Sequence, residues 1–225
     1  MESLRLHTDP GLRASVHVDL GSWLPTPMPG VTRLPLHRLG GEFAQATTLV
    51  RYAPGSHFRP HIHDGGEEFI VLEGEFRDEH GVYPAGTYVR NPPGSRHAPS
   101  APSGCLLFVK LRQFEPSDTQ SVRHRIGSGA PVPLAGCPGV RRELLHASPH
   151  ERVHIETWPP GRWMDIGFPS GGEVLVLEGG YADDTGVFRR HDWQRLPAGT
   201  RWQARASADG AQVWIKRGHL EVLST

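Results

Sequence analysis

The sequence predicts an all-β chain made of two copies of one antiparallel sandwich or barrel domain. Three observations carry that reading. A glycine-bounded apolar segment recurs in the second half of the chain. Glycine and proline supply 27 and 21 of the 225 residues, a composition that interrupts helices and suits short strands joined by tight turns. Apolar residues come in short runs, and no segment shows a long 3.6-residue period with caps.

The repeat is legible residue by residue. Gly65-Gly66-Glu67-Glu68-Phe69-Ile70-Val71-Leu72-Glu73-Gly74 returns as Gly171-Gly172-Glu173-Val174-Leu175-Val176-Leu177-Glu178-Gly179, one residue shorter. Downstream, Asp78, Gly81, Pro92, Gly94 and Arg96 meet Asp183, Gly186, Pro197, Gly199 and Arg201, each 105 positions on. Upstream the spacing is 106, with Pro54-Gly55 meeting Pro160-Gly161. Self-similarity held in order over such a span indicates tandem duplication. The expected boundaries are an N-terminal arm at 1–28, a first domain at 29–112, a linker at 113–137 and a second domain at 138–225. The linker carries the Pro, Ser and Gly that suit a surface connection. In the first copy, residues 47–52, 69–72, 87–90 and 106–111 are the expected strands, each bounded by turn residues.

Composition narrows the function. Lys+Arg and Asp+Glu number 24 each, so there is no basic footprint for nucleic acid or an anionic membrane. The first ten residues carry no apolar signal segment, and no run approaches the 18 apolar residues of a membrane span. Two cysteines, Cys105 and Cys137, make no disulfide scaffold and predict a reduced, cytoplasmic protein. Cys105 opens an apolar run and reads as a small buried residue.

The 14 histidines matter through their placement. In an extended chain, residues i and i+2 face the same way, so His61 and His63 present two imidazoles on one face. Asp64-Gly65-Gly66 permits a sharp turn that brings Glu67 back to that face. His97 follows the turn Asn91-Pro92-Pro93-Gly94, which ends a neighbouring strand. His61, His63, Glu67 and His97 together offer three neutral nitrogens and one anion. Such a set suits a first-row divalent ion with positions left for water or substrate. His57, Arg59, Tyr88 and Arg90 flank these residues and are the candidates for a substrate pocket.

At these positions the sequence resembles the cupin superfamily. Gly55, His61, His63, Glu67 and Gly74 stand at the spacing of the first cupin motif. Gly86, Pro92, Gly94 and His97 follow the second, whose closing Asn is here Ala101. The stretch from Gly65 to Gly74 and that from Tyr83 to His97 look like the ChrR-type cupins. These include the sensory half of zinc-dependent anti-sigma factors and free-standing relatives labelled as dioxygenases. The resemblance implies a bicupin of two double-stranded β-helix (jelly-roll) domains. It also implies one divalent transition metal per chain, Fe(II) or Zn(II), with Mn and Ni as the other candidates. Two activities follow from it. One is an oxygenase cleaving a C–C bond in a small diketone or aromatic ketone; the other is a metal-binding sensor without turnover. The zinc module of the anti-sigma proteins has no counterpart in residues 1–28, which hold no Cys. The expected partner is a small molecule, and monomer and homodimer both stay open.

The second copy reads as a degenerate twin. Projected forward, His61 falls on Gly167, His63 on Pro169 and His97 on Trp202, while Glu173 covers either Glu67 or Glu68. A metal-free domain is the expectation. Trp158, Trp163, Trp193, Trp202 and Trp214 are expected to fill the vacated site or line an apolar pocket. His146, His150, His154 and His191 form no comparable set and are expected as surface or hydrogen-bonded residues.

Overall fold

The computed structural model describes residues 5–41 and 43–220. A short 3-10 turn, Val18–Leu20, is the one helical element among the described residues. No helix there is long and apolar enough to cross a membrane. The chain divides into two compact units, residues 5–8 with 22–126, and residues 9–21 with 127–220. Each is a double-stranded β-helix, so the chain is a bicupin in architecture.

In the first unit the larger sheet runs, from one edge, through Val122–Arg125, Thr87–Asn91, Glu67–Asp78, Cys105–Leu111, Gln45–Tyr52, Val31–Leu39 and Leu24–Pro25. All pairings are antiparallel. Short pairs form the other layer: His61–His63 with Ser95–His97, and Ser56–His57 with Ser100–Ala101. Phe69, Val71, Phe76, Val89 and Leu107 form the core between the layers. The strand Glu67–Asp78 serves both layers, pairing first with Cys105–Leu111 and then with Gly81–Pro84. It turns the corner at Gly74, where φ is +72° and an added Cβ would lie 2.2 Å from the Gly104 carbonyl oxygen. Only glycine fits such a bend. Gly179 repeats it in the second unit, 2.2 Å from the Gly210 carbonyl oxygen.

The second unit repeats the order with Ala14–Val16, Trp193–Leu196, Gly172–Asp183, Thr200–Arg217, Arg152–Trp158, Arg141–Ala147 and Val132–Pro133. Two edge strands come from segments that read as mere connections. Val122–Arg125, inside the expected linker, covers the edge of Thr87–Asn91. Ala14–Val16, inside the expected arm, covers the edge of Trp193–Leu196. An unpaired sheet edge is a template for wrong association, and these segments close it.

The second core is aromatic: Trp158, Phe168, Tyr181, Phe188 and Trp202 pack together. Trp193 and Trp214 are also fully buried, whereas Trp163 is 63% exposed and takes no part in that filling. Beside this core, Glu156 is buried and accepts hydrogen bonds from Arg142 Nε at 3.0 Å, Arg142 Nη2 at 2.6 Å and Trp158 Nε1 at 2.8 Å. Burial alone would raise its pKa, but His154, Arg142 and the Trp158 indole outweigh burial and hold the carboxyl at about 2. A carboxylate depressed in the folded state contributes stability that is present above its unfolded value and lost as pH falls through the folded one. The second unit should therefore lose stability between the ordinary 4.5 and about 2. Hydrogen exchange resolved by unit measures this. Glu156→Gln should flatten that acid limb and cost roughly 3 kcal/mol at neutral pH; an unchanged limb in the variant would contradict the assignment.

Candidate metal centre

His61–His63 is a short strand whose middle residue, Ile62, is 65% exposed. Alternation therefore sends both histidines inward. The Gly66 N–H closes the following turn on the His63 carbonyl at 3.1 Å, with Gly66 at φ +75°. That turn starts the next strand at Glu67 on the same side. Antiparallel pairing then sets His97 opposite His61.

The three rings form a nearly equilateral cluster, with centroids 4.7, 4.9 and 5.0 Å apart. His63 Nε2 and His97 Nε2 lie 2.9 Å apart. Glu67 Oε2 is 3.5 Å from the first and 3.7 Å from the second. Donor atoms of all three histidines fall within 4.8 Å of one another.

The outer partners decide which nitrogens face inward. His97 Nδ1 lies 3.1 Å from Asp78 Oδ2, and His61 Nδ1 lies 3.0 Å from the Arg59 carbonyl oxygen. Both partners are acceptors, so each Nδ1 carries the proton and each Nε2 turns a lone pair to the centre. Asp78 is fixed in turn by the Tyr83 hydroxyl at 2.9 Å and the His80 N–H at 2.8 Å. Asn91 Nδ2 donates to Glu67 Oε2 at 3.0 Å, and Arg123 Nη2 donates to Asn91 Oδ1 at 2.6 Å. Ligating imidazoles and carboxylates are ordinarily oriented by such outer hydrogen bonds. At that separation His63 Nε2 can donate a proton to the His97 lone pair or share a cation with it, and three converging imidazoles beside one carboxylate are a donor set that fits a divalent ion.

Burial lowers the pKa of His63, aided by His97 and His61 and opposed by the Glu67 and Asp64 charges. Burial opposes charge on His97 as well, but the hydrogen bond to Asp78, with the Glu67 charge next, raises its pKa.

The cluster opens into a cavity of about 300 Å³ whose wall is largely apolar, with Val50, Phe58, Phe76 and Val109 among its lining residues. Arg33 and Arg38 also line it, and sequence reasoning did not anticipate them. His57 and Arg59 are exposed and do not line it, because Phe58 between them takes the inward position. Tyr88 and Arg90 are fully buried on the other face of their strand. There the Tyr88 hydroxyl donates to Glu68 Oε1 at 2.8 Å and Arg90 Nη2 donates to Asp118 Oδ2 at 2.5 Å. None of these four lines the cavity. Cys105 is buried, and burial pushes its thiol up to about 12, so it is no thiolate near neutral pH.

Two jelly rolls in one chain, one of them holding converging imidazoles, have the architecture of a bicupin. The family described as ChrR Cupin-like domain matches residues 12–115, a little under half of the chain. Solved structures with the same fold include Ylba from E. coli, 15% identical with TM-score 0.70, covering 97% of this chain and 95% of that one. Bacterial pirin YhhW from E. coli, in complex with nickel(II), is 13% identical with TM-score 0.69, covering 92% and 98%. A putative dioxygenase from Nostoc punctiforme is 11% identical with TM-score 0.66, covering 94% and 80%. No curated protein matches the sequence.

Strand register corrects the projection onto the second copy. Ser95 pairs with His63 and His97 with His61; Thr200 pairs with Phe168 and Trp202 with Ile166. His61 therefore corresponds to Ile166 and His63 to Phe168, not to Gly167 and Pro169. Likewise Glu67 pairs with Asn91, and Gly172 with Leu196, so Gly172 replaces Glu67 and Glu173 replaces Glu68. The missing residue lies before the histidine pair, not after it. All four candidate ligands are thus replaced, and Phe168 and Trp202 rings pack at 6.0 Å where imidazoles stand in the first unit. The outer carboxylate survives: Asp183, the counterpart of Asp78, accepts from Trp202 Nε1 at 2.8 Å. His146, His154 and His191 are buried and His150 is exposed. An added Cβ at Gly172 would sit 2.5 Å from the Lys216 carbonyl oxygen and 2.6 Å from the Phe168 ring. Gly172→Ala should therefore destabilise the second unit by roughly 1–3 kcal/mol, read as a lower unfolding midpoint in denaturant; an unshifted midpoint would show that Phe168 can yield.

Proposed function

We propose that the first unit is a metal-dependent enzyme, an oxygenase that cleaves a C–C bond in a small diketone or aromatic ketone. The carrying observation is the convergence of His61, His63, His97 and Glu67 on one point at the wall of an apolar cavity. These four residues would hold one divalent ion per chain. When bound, the ion supplies Lewis-acid chemistry and, as Fe(II), redox chemistry toward O₂. The chain's own part is to orient and exclude. Asp78 and the Arg59 carbonyl keep the Nε2 lone pairs inward, Asn91 holds Glu67, and the apolar wall keeps water from a bound ketone. Two similar structures support the reading, one a nickel(II) complex and one a putative dioxygenase.

The match to the ChrR Cupin-like domain favours a second reading, a metal-binding sensor that turns nothing over. Metal content and O₂ uptake separate the two. Iron with O₂ consumed on a β-diketone supports the oxygenase; one zinc per chain with no uptake supports the sensor.

Elemental analysis should give one tightly bound ion per chain, and two would contradict the loss of ligands in the second unit. His61→Ala or His97→Ala should abolish tight binding, whereas His191→Ala should not. Asp78→Asn removes the anion that orients His97 and should weaken metal affinity by about 10–100-fold. Equal affinity in that variant would mean that Asp78 does not position a ligand.

A further inference from the structure

Arg33 and Arg38 lie five residues apart on the strand Val31–Leu39, a spacing that strict alternation would put on opposite faces. A bulge between Pro35 and His37 reverses the alternation, so both line the cavity that the histidines line. Arg33 Nε is buried and has no hydrogen-bond partner. Arg38 Nη2 donates to the Gly41 carbonyl. Burial first, and then the nearby Arg33 charge, makes Arg38 a weaker base than usual. No carboxylate of a described residue pairs with either guanidinium. Two cations facing one largely apolar cavity, neither of them paired with the Glu67 carboxylate that also lines it, carry a desolvation cost that a bound anion would offset.

The second unit shows which kind of anion the same register holds. Arg33 pairs across the sheet with Val50; at the same register Arg142 pairs with Glu156. Arg142 places both Nε and Nη2 on Glu156 Oε1, at 3.0 and 2.6 Å. One copy therefore supplies its own carboxylate to this arginine. The other puts a valine there and leaves Nε unmatched beside an empty volume.

We propose that Arg33 and Arg38 form a carboxylate seat, so that the ligand of the first unit is a small amphipathic carboxylate whose apolar body fills the cavity. For the enzyme, this makes the substrate a keto acid. The seat itself depends only on the two arginines; the role of its ligand as substrate rests on the proposed function.

The test uses the full chain and titration calorimetry, with 4-phenylbutanoate and its uncharged analogue 4-phenylbutanamide as probes. The carboxylate should bind at least about tenfold more tightly, the scale of a charge-assisted hydrogen-bonded pair. Arg33→Gln should remove that preference and leave amide binding unchanged. Val50→Glu should remove it too, by giving Arg33 the internal partner that Arg142 has. Equal affinity of the two probes for the unaltered chain would overturn the seat, as would no heat from the carboxylate at millimolar concentration. Inorganic phosphate displacing the carboxylate at equal concentration would also overturn it. That comparison needs no variant to fold. Measured again after chelation, the preference should persist. In the protein as purified, preference without any bound ion would support the seat and count against the metal centre; a retained ion without preference would overturn the seat alone.

Discussion

The pairing of His61–His63 with Ser95–His97 is the constraint on which the candidate centre depends. A two-strand ribbon places residues opposite one another at a fixed spacing, and that spacing brings His97 within ring contact of His61 and His63. The rest of the first unit serves to hold the ribbon still. The larger sheet supplies Glu67 from below and fixes it through Asn91, and Asp78 reaches His97 from the far half of the same strand that begins at Glu67. One strand, bent at Gly74, thus provides both an inward carboxylate and the outer anion that orients an imidazole.

The duplication turns this dependence into a comparison. The second unit keeps the ribbon register, the glycine bend and the outer carboxylate, yet fills the centre with Ile166, Phe168 and Trp202. Trp202 donates its indole N–H to Asp183 as His97 faces Asp78, so the carboxylate finds a donor either way. Burying aromatic rings needs no ligand for stability. Converging imidazoles and a buried carboxylate, by contrast, are costly to desolvate when alone. The same scaffold therefore admits either a self-sufficient core or a centre that an ion would complete.

Much of this was legible in the sequence, and the exceptions share a cause. Fold, duplication and the grouping of His61, His63, Glu67 and His97 followed from spacing, because two-residue alternation and glycine turns act locally. The misplaced residues fail on parity. Phe58, not His57 or Arg59, faces inward, and Tyr88 and Arg90 share the face of Glu68 rather than that of Glu67. Nothing local marks which of two adjacent faces is inside when both are buried, as at Glu67 and Glu68. The projection onto Gly167 and Pro169 failed because a one-residue gap can slide along a glycine-rich turn at no cost to the sequence match. Only the ladder pairing locates it. The edge strands Ala14–Val16 and Val122–Arg125 were missed for a further reason. Each is short and pairs with a strand distant in sequence, and such pairing leaves no periodic signature.

Arg33 and Arg38 extend the same lesson to specificity. Their shared face exists because one bulge shifts the strand by a residue, a feature invisible to alternation and decisive for what lines the cavity. Across the two copies, a single exchange at one register position, Val50 against Glu156, separates an arginine that is matched internally from one that is not. The duplicated fold has thus diverged at both ends of one interior: imidazoles against aromatic rings, and an open guanidinium against a closed ion pair. The two differences have the same effect: in the second unit aromatic rings stand where the imidazoles would need an ion, and Glu156 gives Arg142 the partner that Arg33 lacks. The unmatched Arg33 Nε and the converging imidazoles thus line one and the same cavity of the first unit.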